Sequence, residues 1–264
     1  MRNVRLQIAY DGSRFFGWQR QDGFVSVQEA LEEALCAIVG AHVTVHGAGR
    51  TDTGVHALAQ VAHCHVETRL DDDRLRHALN AHVARGIVVR RLETCADDFH
   101  ARFGARSKRY LYLTATSRFR PPFGHELCHW VNRPLDLAAM REAARALVGR
   151  HDFAAFGNTG SPRATTVRRV DGVRFVARAR AFAFLVQADG FLYNMVRTIA
   201  GTLIDVGRGK LDPGCVARAI GTLRRDELGP TAPPNGLYLV SVQYAPRAFA
   251  GPEPGPFRRP GVFR

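Results

Sequence analysis

Residues 47–57, Gly-Ala-Gly-Arg-Thr-Asp-Thr-Gly-Val-His-Ala, hold the residue types best suited to chemistry in this sequence. Glycines in such a run permit positive φ angles and let a ligand approach the backbone closely. A nucleotide-phosphate loop does not fit, because its fingerprint needs a glycine at Asp52 and a Walker loop needs Gly-Lys-Ser/Thr. A carboxylate at that position would also repel a phosphate. The run is therefore not a nucleotide-phosphate loop.

Arg50 and Asp52 are two residues apart, so in an extended segment both side chains project to the same side. A neighbouring guanidinium keeps a carboxylate ionised and lowers an Asp pKa from about 3.9 by roughly 1–3 units. An ionised Asp52 suits a nucleophile and not a general acid, which needs a raised pKa. An Asx turn with a surface ion pair is the structural alternative. The residues alone leave both open.

Two further regions of the sequence, residues 97–112 and 190–203, combine basic side chains with aromatic or apolar ones. Residues 97–103 and 106–112 interleave basic and aromatic side chains, which suits phosphate contacts beside base stacking, although Tyr110 and Tyr112 fit a strand core equally well. Residues 190–203 form an apolar helical pattern interrupted by Arg197, which needs an anionic partner if buried and otherwise extends to solvent. His63 and His65 have a metal-ligand spacing without a third ligand, so no metal site is predicted.

The chain of 264 residues has 37 Lys and Arg against 24 Asp and Glu, a formal net charge of +13 that favours a polyanionic partner. Lys108 and Lys210 are the only lysines. Arginine suits bidentate phosphate contacts, while a GC-rich genome would also raise the share of arginine without explaining the net charge.

The five cysteines include no C-x-x-C pair, which argues against a disulfide framework or a thiolate zinc site and fits a reducing compartment. The N-terminus has no apolar signal region, and no stretch approaches 18 apolar residues. We therefore expect a cytoplasmic protein without a membrane segment.

Hydrophobic periodicity predicts strands and helices in two loosely similar halves. Strands are predicted at 4–10, 42–46, 58–66, 87–92, 109–115, around Trp130, and at 167–176, 182–188 and 237–244. Helices are predicted from Ser26 to Gly40, from Asp71, from Asp136, over 191–206 and after Pro213. This order favours an α+β fold with mostly antiparallel sheets. We predict two α/β subdomains, 1–105 and 106–245, flanking a basic catalytic cleft, and a flexible Pro/Gly/Arg-rich tail over 246–264.

Several separated segments resemble the tRNA pseudouridine synthase A (TruA) family, in the family's order and from about Leu6 to Tyr244. They are Ala9–Gln19, Gly47–Ala57, Phe99–Phe103, Met195–Arg197 and Gly229–Pro233. The resemblance implies an isomerase that converts uridine to pseudouridine at positions 38, 39 and 40 of the tRNA anticodon stem-loop. It also implies a homodimer that uses neither a metal nor an organic cofactor, and a pseudouridine synthase fold of two subdomains.

The resemblance also implies roles for single residues. Asp52 matches the nucleophile, and Arg50 the arginine that pairs with it and helps displace the base. Tyr110 matches a tyrosine that packs on the uracil and is a candidate for proton removal. Arg197 matches a basic residue of the ion network around the aspartate. We further assign substrate contacts to Arg14, His100 and Arg102 beside Tyr110.

The chain departs from the family pattern at Ala84-Arg85, where Leu-Pro is usual, at Leu228 in place of alanine, and in its unmatched C-terminal extension. The first two put only local loop geometry in doubt. The rival interpretation is a non-catalytic RNA-binding protein or tRNA chaperone.

Overall fold

The computed structural model describes residues 1–158, 165–178 and 181–249. In the first part of the chain it contains β1 (Arg2–Tyr10), α1 (Val27–Val39), β2 (His46–Gly47), β3 (His56–Val66), α2 (Asp72–His82) and β4 (Ile87–Thr94). There follow β5 (Ser107–Thr116), β6 (His129–Val131), α3 (Leu137–Arg145), β7 (Gly149–Asp152), β8 (Val167–Arg178), β9 (Ala181–Ala188), α4 (Met195–Gly207), α5 (Cys215–Thr222) and β10 (Leu237–Gln243). The predicted α+β class is confirmed.

The chain forms two compact units, residues 1–106 with 238–264 and residues 107–237. The first unit has the strand order β4-β1-β3-β10, with β2 paired to β3, and the second has β5-β9-β8-β7, with β6 paired to β5. We predicted that 237–244 belongs to the C-terminal subdomain, 106–245. In the structure β10 lies with the first unit from Tyr238 onward, because Tyr238 and Leu239 pair in parallel with His56 and Ala57 of β3.

Three predicted helix boundaries are confirmed by their caps. Ser26 Oγ accepts a hydrogen bond from the Glu29 N–H at 3.2 Å, and the Glu29 carboxylate accepts one from the Ser26 N–H at 3.3 Å, which makes the capping box of α1. Gly40 ends that helix at φ 75°. Asp71 caps α2 by accepting from the Arg74 N–H at 2.8 Å.

The predicted strand 42–46 is wrong, because only His46–Gly47 pairs with β3. The Val45 N–H donates to the buried Glu32 carboxylate at 2.9 Å, and the Val45 carbonyl accepts from the Gln28 amide at 3.2 Å. Side chains of α1 thus take the hydrogen bonds that a neighbouring strand would have made.

The helix predicted over 191–206 begins later than expected, at Met195. Asn194 adopts the left-handed conformation with φ 62°, which interrupts helical geometry before α4. From Met195 to Gly207 every residue except Arg197 is buried, so α4 forms much of the core of the second unit.

Two residues of the tail predicted to be flexible are packed against the first unit. Ala248 and Phe249 are buried in a hydrophobic cluster with Ala48, Val61 and Ala101. Residues 250–264 lie outside the described residues. None of the helices in the described residues combines the length and the apolar character needed to cross a bilayer.

Candidate active site

The loop that carries Asp52 connects β2 to β3 in the first unit. At its start the Ala48 N–H donates to the Val61 carbonyl at 2.7 Å, and the Gln60 amide donates to the Gly49 carbonyl at 2.8 Å. After Asp52 the chain turns, and the Val55 N–H donates back to the Asp52 carbonyl at 3.1 Å. Asp52 is half-buried in this loop. Its backbone therefore has a defined position without belonging to a helix or a strand.

Residues 10–18 hold the middle of this loop. The Trp18 N–H donates to the Thr51 carbonyl at 3.0 Å, and the Tyr10 hydroxyl lies 2.7 Å from Thr51 Oγ1. Burial raises the pKa of Tyr10 well above its usual value, so the phenol stays neutral. Gly17 has φ +84°, and a Cβ there would lie 2.7 Å from the Thr51 carbonyl oxygen. A side chain at Gly17 would push the backbone next to Asp52 out of place.

A second glycine in the same segment fixes the far end of the loop. The Gly12 N–H donates to His56 Nδ1 at 3.0 Å, and a Cβ at Gly12 would lie 2.1 Å from the Val55 carbonyl oxygen. The His56 ring stacks on Tyr238 with centroids 4.6 Å apart. The two segments Ala9–Gln19 and Gly47–Ala57, which the sequence singled out separately, thus form one structure.

Arg50 and Arg14 are both exposed in the first unit. Arg14 Nε lies 3.6 Å from the Asp11 carboxylate. Both residues belong to the segment 10–18 that contacts the Asp52 loop. The pairing of Arg50 with Asp52 stays a prediction.

The segment Phe99–Phe103 is held from inside the first unit and exposes side chains outward. The Ala101 N–H donates to His63 Nδ1 at 3.2 Å, and the Tyr244 hydroxyl donates to the Ala101 carbonyl at 2.6 Å. Phe103 is 77% exposed, and its ring lies 4.3 Å from that of His100 and 5.6 Å from the Arg102 guanidinium carbon. An exposed aromatic ring flanked by a cation is a surface on which a base can stack.

Behind this surface His63 packs between two other imidazoles, which the sequence alone did not reveal. Its ring centroid lies 4.5 Å from that of His100 and 5.1 Å from that of His46. Burial, followed by the neighbouring His100 and His46, lowers the pKa of His63 to about 4. His63 is therefore neutral at pH 7 and acts as a hydrogen-bond acceptor for the Ala101 N–H. Within the described ranges, no group of three or more His, Cys, Asp or Glu side chains is arranged to hold a metal ion.

In the second unit Tyr110 lies on β5, opposite Val186 of β9. Its side chain is 8% exposed and meets Phe191 edge to face, with centroids 5.1 Å apart and planes at 85°. Tyr112, two residues on, belongs to the core. Its hydroxyl donates to the Pro233 carbonyl at 2.8 Å, and burial raises its pKa far above the usual value. The strand-core interpretation is therefore confirmed for Tyr112.

Arg197 lies in the first turn of α4 and is half-buried. Its Nε donates to the Ala232 carbonyl at 2.8 Å, and a terminal guanidinium nitrogen donates to Asn194 Oδ1 at 2.8 Å. The Ala232 N–H returns a hydrogen bond to the Arg197 carbonyl at 3.0 Å. These bonds orient the guanidinium, so Arg197 does not simply extend into solvent.

Two glycines bring α4 against the segment Gly229–Pro233. A Cβ at Gly201 would lie 1.7 Å from the Pro230 carbonyl oxygen, so only glycine fits there. The Gly229 N–H donates to Thr202 Oγ1 at 3.0 Å. Met195–Arg197 and Gly229–Pro233 therefore form one contiguous structure in the second unit, as the two glycine-containing segments do in the first.

The sequence profile described as tRNA pseudouridine synthase matches residues 7–104 and 143–245 of this chain. The chain belongs to the tRNA pseudouridine synthase family. Two relatives named tRNA pseudouridine synthase A illustrate this membership. One from Thermoanaerobacter sp. (strain X514) is 41% identical over 244 residues, which cover 92% of this chain and all of the relative. One from Nitrobacter hamburgensis is 43% identical over 245 residues, with the same shares of the two chains.

Among solved structures, an archaeal box H/ACA Nop10–Cbf5 complex matches 76% of this chain and 44% of its own at 11% identity, with a TM-score of 0.35. That value is too low to bear on the fold.

For this pseudouridine synthase family member, the positioning residues Gly17, Trp18, Thr51 and Asn194 were not predicted from the sequence. The Gly17-Trp18 pair lies in the segment Ala9–Gln19 that resembles the family, but its contact with the Asp52 loop joins residues more than thirty positions apart. Asn194 carried no signal, because a left-handed asparagine has no distinctive pattern in an apolar helical stretch.

Proposed function

We propose that the protein isomerises uridine to pseudouridine in the anticodon stem-loop of tRNA, at the family's target uridines 38, 39 and 40, with Asp52 as its nucleophile. The observation that carries the proposal is the fixed backbone of Asp52, which Trp18 and Gly17 hold in place within a chain of the tRNA pseudouridine synthase family. A surface Asx turn would not need a neighbouring segment to adopt positive φ in order to make room for it.

The reaction breaks the N1–C1′ glycosidic bond, turns the uracil over and joins C5 to C1′. The proton leaves C5 and N1 regains one, so there is no net oxidation and no hydrolysis. An ionised Asp52 can attack C1′ or assist a glycal-type intermediate; attack on C6 is the third route. Each of these routes requires the carboxylate and not the carboxylic acid.

The target nucleotide must leave its stack, which costs a few kcal/mol. Exposed Arg50 takes the vacated position in this proposal. The ring of Tyr110, held edge-on by Phe191, packs on the uracil, a contact worth about 1–3 kcal/mol. Tyr110 is also the candidate acceptor for the C5 proton, although a phenol with a reference pKa near 10 is a weak base at neutral pH. Arg197, oriented by Ala232 and Asn194, supplies positive charge for the aspartate.

The exposed Arg14 and Arg102 and the half-buried His100 contact the RNA in this proposal. Arg102 and His100 flank the exposed Phe103 ring, so phosphate and base contacts can form side by side. The net charge of +13 supports a polyanionic substrate.

We further propose that the protein works in the cytoplasm as a homodimer. Light scattering should then report about twice the chain mass of 29.2 kDa, and a monomer at working concentration would contradict it.

Release of tritium from tRNA labelled at C5 of uridine tests the proposed reaction directly. The enzyme should release tritium without added metal or cofactor and leave pseudouridine at positions 38–40. An RNA-binding protein or chaperone would bind the same tRNA and release none, and that result would replace the proposal with its rival. Modification elsewhere in the tRNA would keep the reaction and overturn the assigned target.

A further inference from the structure

Two phenylalanine rings lie against each other at the surface of the first unit, in the segment between β1 and α1. Phe16 is 48% exposed and Phe24 is 47% exposed, and their ring centroids lie 4.5 Å apart. Val25, next in the chain, is also exposed. Single apolar side chains are ordinary at a protein surface, but contiguous ones indicate a site of interaction. We call Phe16 and Phe24 the aromatic pair.

Backbone hydrogen bonds hold the aromatic pair in place. The Phe16 N–H donates to the Val25 carbonyl at 3.0 Å, which closes the segment that carries both rings. Inside it the Phe24 N–H donates to the Gln21 carbonyl at 3.3 Å, and Gly23 supplies the φ of +81° that this turn needs. The rings are therefore arranged before a partner arrives, so that binding costs little ordering of the protein.

The aromatic pair is continuous with the loop that carries Asp52. Phe16 directly precedes Gly17, and a Cβ at Gly17 would lie 2.7 Å from the Thr51 carbonyl oxygen and 3.2 Å from the Asp52 carbonyl carbon. The next residue, Trp18, donates its N–H to the same Thr51 carbonyl at 3.0 Å. The exposed rings are thus attached to the backbone that positions the proposed nucleophile.

Two arginines flank the aromatic pair in the chain. The Arg14 side chain is 58% exposed and that of Arg20 is 51% exposed. Arg20 donates to the buried Glu32 carboxylate at 3.1 Å, and Arg14 lies 3.6 Å from Asp11, so each guanidinium is oriented while much of it stays open to solvent.

This combination favours RNA over a second copy of the chain as the occupant of the surface. Aromatic rings beside guanidinium groups bind unpaired nucleotides, because the rings stack on bases while the cations contact phosphates. A two-fold symmetric contact through the same surface would instead bring each arginine of one copy toward the arginines of the other. Like charges would then oppose the association.

We propose that the aromatic pair is a stacking platform for an unpaired base of the substrate RNA next to the target nucleotide, with Arg14 and Arg20 on the adjoining phosphates. The inference deepens the proposed function and rests on it, since it takes the RNA to be the tRNA anticodon stem-loop. Every base presents a π face, so the platform accepts any base. It holds the neighbouring nucleotide while the target leaves its stack, and it does not read sequence.

The first experiment removes the π faces and keeps the apolar bulk. In Phe16→Leu/Phe24→Leu the KM for the stem-loop should rise by about 5- to 50-fold, since stacking on an aromatic ring contributes strongly to binding of unpaired bases. The effect should fall on KM rather than on kcat, because the stacked base does not react. Phe16→Tyr/Phe24→Tyr keeps the rings and should stay within about twofold of the wild-type KM.

The matched control is Phe119→Leu, which removes a ring that is 74% exposed in the second unit and should leave KM unchanged. A wild-type KM in the Phe16→Leu/Phe24→Leu protein would overturn the proposal. So would an equal loss in the tyrosine variant, because a disturbed loop and not a lost π face would then explain it.

The second experiment removes the base instead of the rings. Stem-loops that carry one abasic residue at a time in the unpaired loop, with the target kept, are compared by Kd. At one position the abasic change should weaken binding to the wild type about as much as the leucine substitutions do, and it should have little further effect on the leucine variant. Another base at that position should restore binding. If the two changes combined additively in free energy at every position, the pair would contact no base and the proposal would be wrong.

Two measurements separate this inference from its alternatives. If light scattering showed that the leucine variant dissociates into monomers while no abasic position is coupled to it, the pair would be a contact between copies and the platform would be overturned. Tritium release by the wild type tests the proposed function independently. An active wild type beside a leucine variant with unchanged KM would overturn the platform alone, whereas an inactive wild type would overturn the proposed function and leave the abasic series to decide on the platform.

Discussion

The two units of this synthase position their chemically active side chains in different ways. In the first unit Asp52 lies on an irregular loop, and Thr51 and Asp52 depend on contacts from Tyr10, Gly17 and Trp18. In the second unit Tyr110 lies within the β5–β9 ladder and Arg197 in the first turn of α4. The loop is held by a few individual contacts, whereas the strand and the helix are held by repeated backbone hydrogen bonds.

This difference predicts different responses to substitution. A change beside the Asp52 loop should alter catalysis as well as stability, because the loop carries Asp52 itself. A change beside α4 should alter stability first, because nearly every residue of that helix is buried. The following predictions test the contrast, from the largest expected effect to the smallest.

Substitutions of the proposed catalytic side chains should have the largest effects on turnover, and the effect should be larger for Asp52 than for Tyr110. Asp52→Asn removes the only proposed nucleophile, and we expect turnover to fall by at least about 10³-fold with tRNA affinity nearly unchanged. Tyr110→Phe keeps the ring that packs on uracil, and it should lower turnover by roughly 10–100-fold with little change in KM. Single-turnover tritium release measures both.

The control for this comparison is Asp22→Asn, which neutralises an exposed carboxylate in the first unit and should leave turnover at the wild-type level. Substantial residual turnover in Asp52→Asn would remove its nucleophilic role. Wild-type kinetics in Tyr110→Phe would remove the phenol from the chemistry and leave it only a packing role.

Gly201→Ala should be the most destabilising small substitution in the second unit. Its Cβ would lie 1.7 Å from the Pro230 carbonyl oxygen, so α4 and the segment Gly229–Pro233 must separate. We expect a loss of about 3 kcal/mol in the free energy of unfolding, at the upper end of overpacking costs. Urea unfolding measures it. Gly221→Ala, with open space around its Cβ, is the control and should be neutral or slightly stabilising.

Gly17→Ala is the matching test in the first unit. Its φ of +84° and the 2.7 Å approach to the Thr51 carbonyl oxygen should together cost about 2 kcal/mol of stability. The decisive comparison is the ratio of effects. Folded Gly17→Ala protein should lose at least tenfold in kcat, because Asp52 shifts. The folded fraction of Gly201→Ala should lose less, because its Asp52 loop is unchanged and the substitution reaches the proposed site through Ala232 and Arg197. If Gly17→Ala lost stability and kept its kcat, the loop would not depend on residues 10–18.

The elements that followed from the sequence are those whose signals are local. Ser26 with Glu29, Gly40 and Asp71 act within one turn of their helix, so their patterns predicted the ends of α1 and the start of α2. The resemblance supplied the segments of the site, but not the contacts between them. The contact of Gly17 with Thr51 joins residues far apart in sequence, and no periodic pattern records such a contact.

The incorrect predictions of a strand at 42–46 and of a flexible segment at Phe249 have the same origin. Residues 42–46 have an alternating pattern, yet the hydrogen bonds of Val45 go to Glu32 and Gln28 of α1. Phe249 lies in a segment whose composition indicates disorder, and two arginines, one on β1 and one on β4, nevertheless hold it in place. In both cases a distant charged or polar side chain overrides the local signal.

The last prediction compares two histidines with lowered pKa values, the buried His63 in the first unit and the half-buried His129 in the second. Burial is the main cause that lowers the pKa of His63, in the first unit, and of His129, in the second, to about 4 in each case. Around His63 the other titratable groups are His46, His65 and His100, with Arg102 near His100. Around His129 the Arg208 charge contributes, and the Tyr112 hydroxyl lies 3.1 Å away.

Because the folded pKa of each histidine lies below the value of about 6.5 expected for the unfolded chain, the unfolded state binds more protons between pH 6.5 and 4. The free energy of unfolding should therefore fall as the pH falls through that window, by at most about 1.4 kcal/mol per pH unit for each histidine. His63→Gln and His129→Gln should each flatten this dependence by a similar amount while leaving the pH range above 7 unchanged. If the free energy of unfolding depended equally on pH in the wild type and in His63→Gln, protonation of the imidazole cluster behind Phe99–Phe103 would not destabilise the folded state. The first unit would then tolerate charge in its interior, which its dependence on a few individual contacts does not predict.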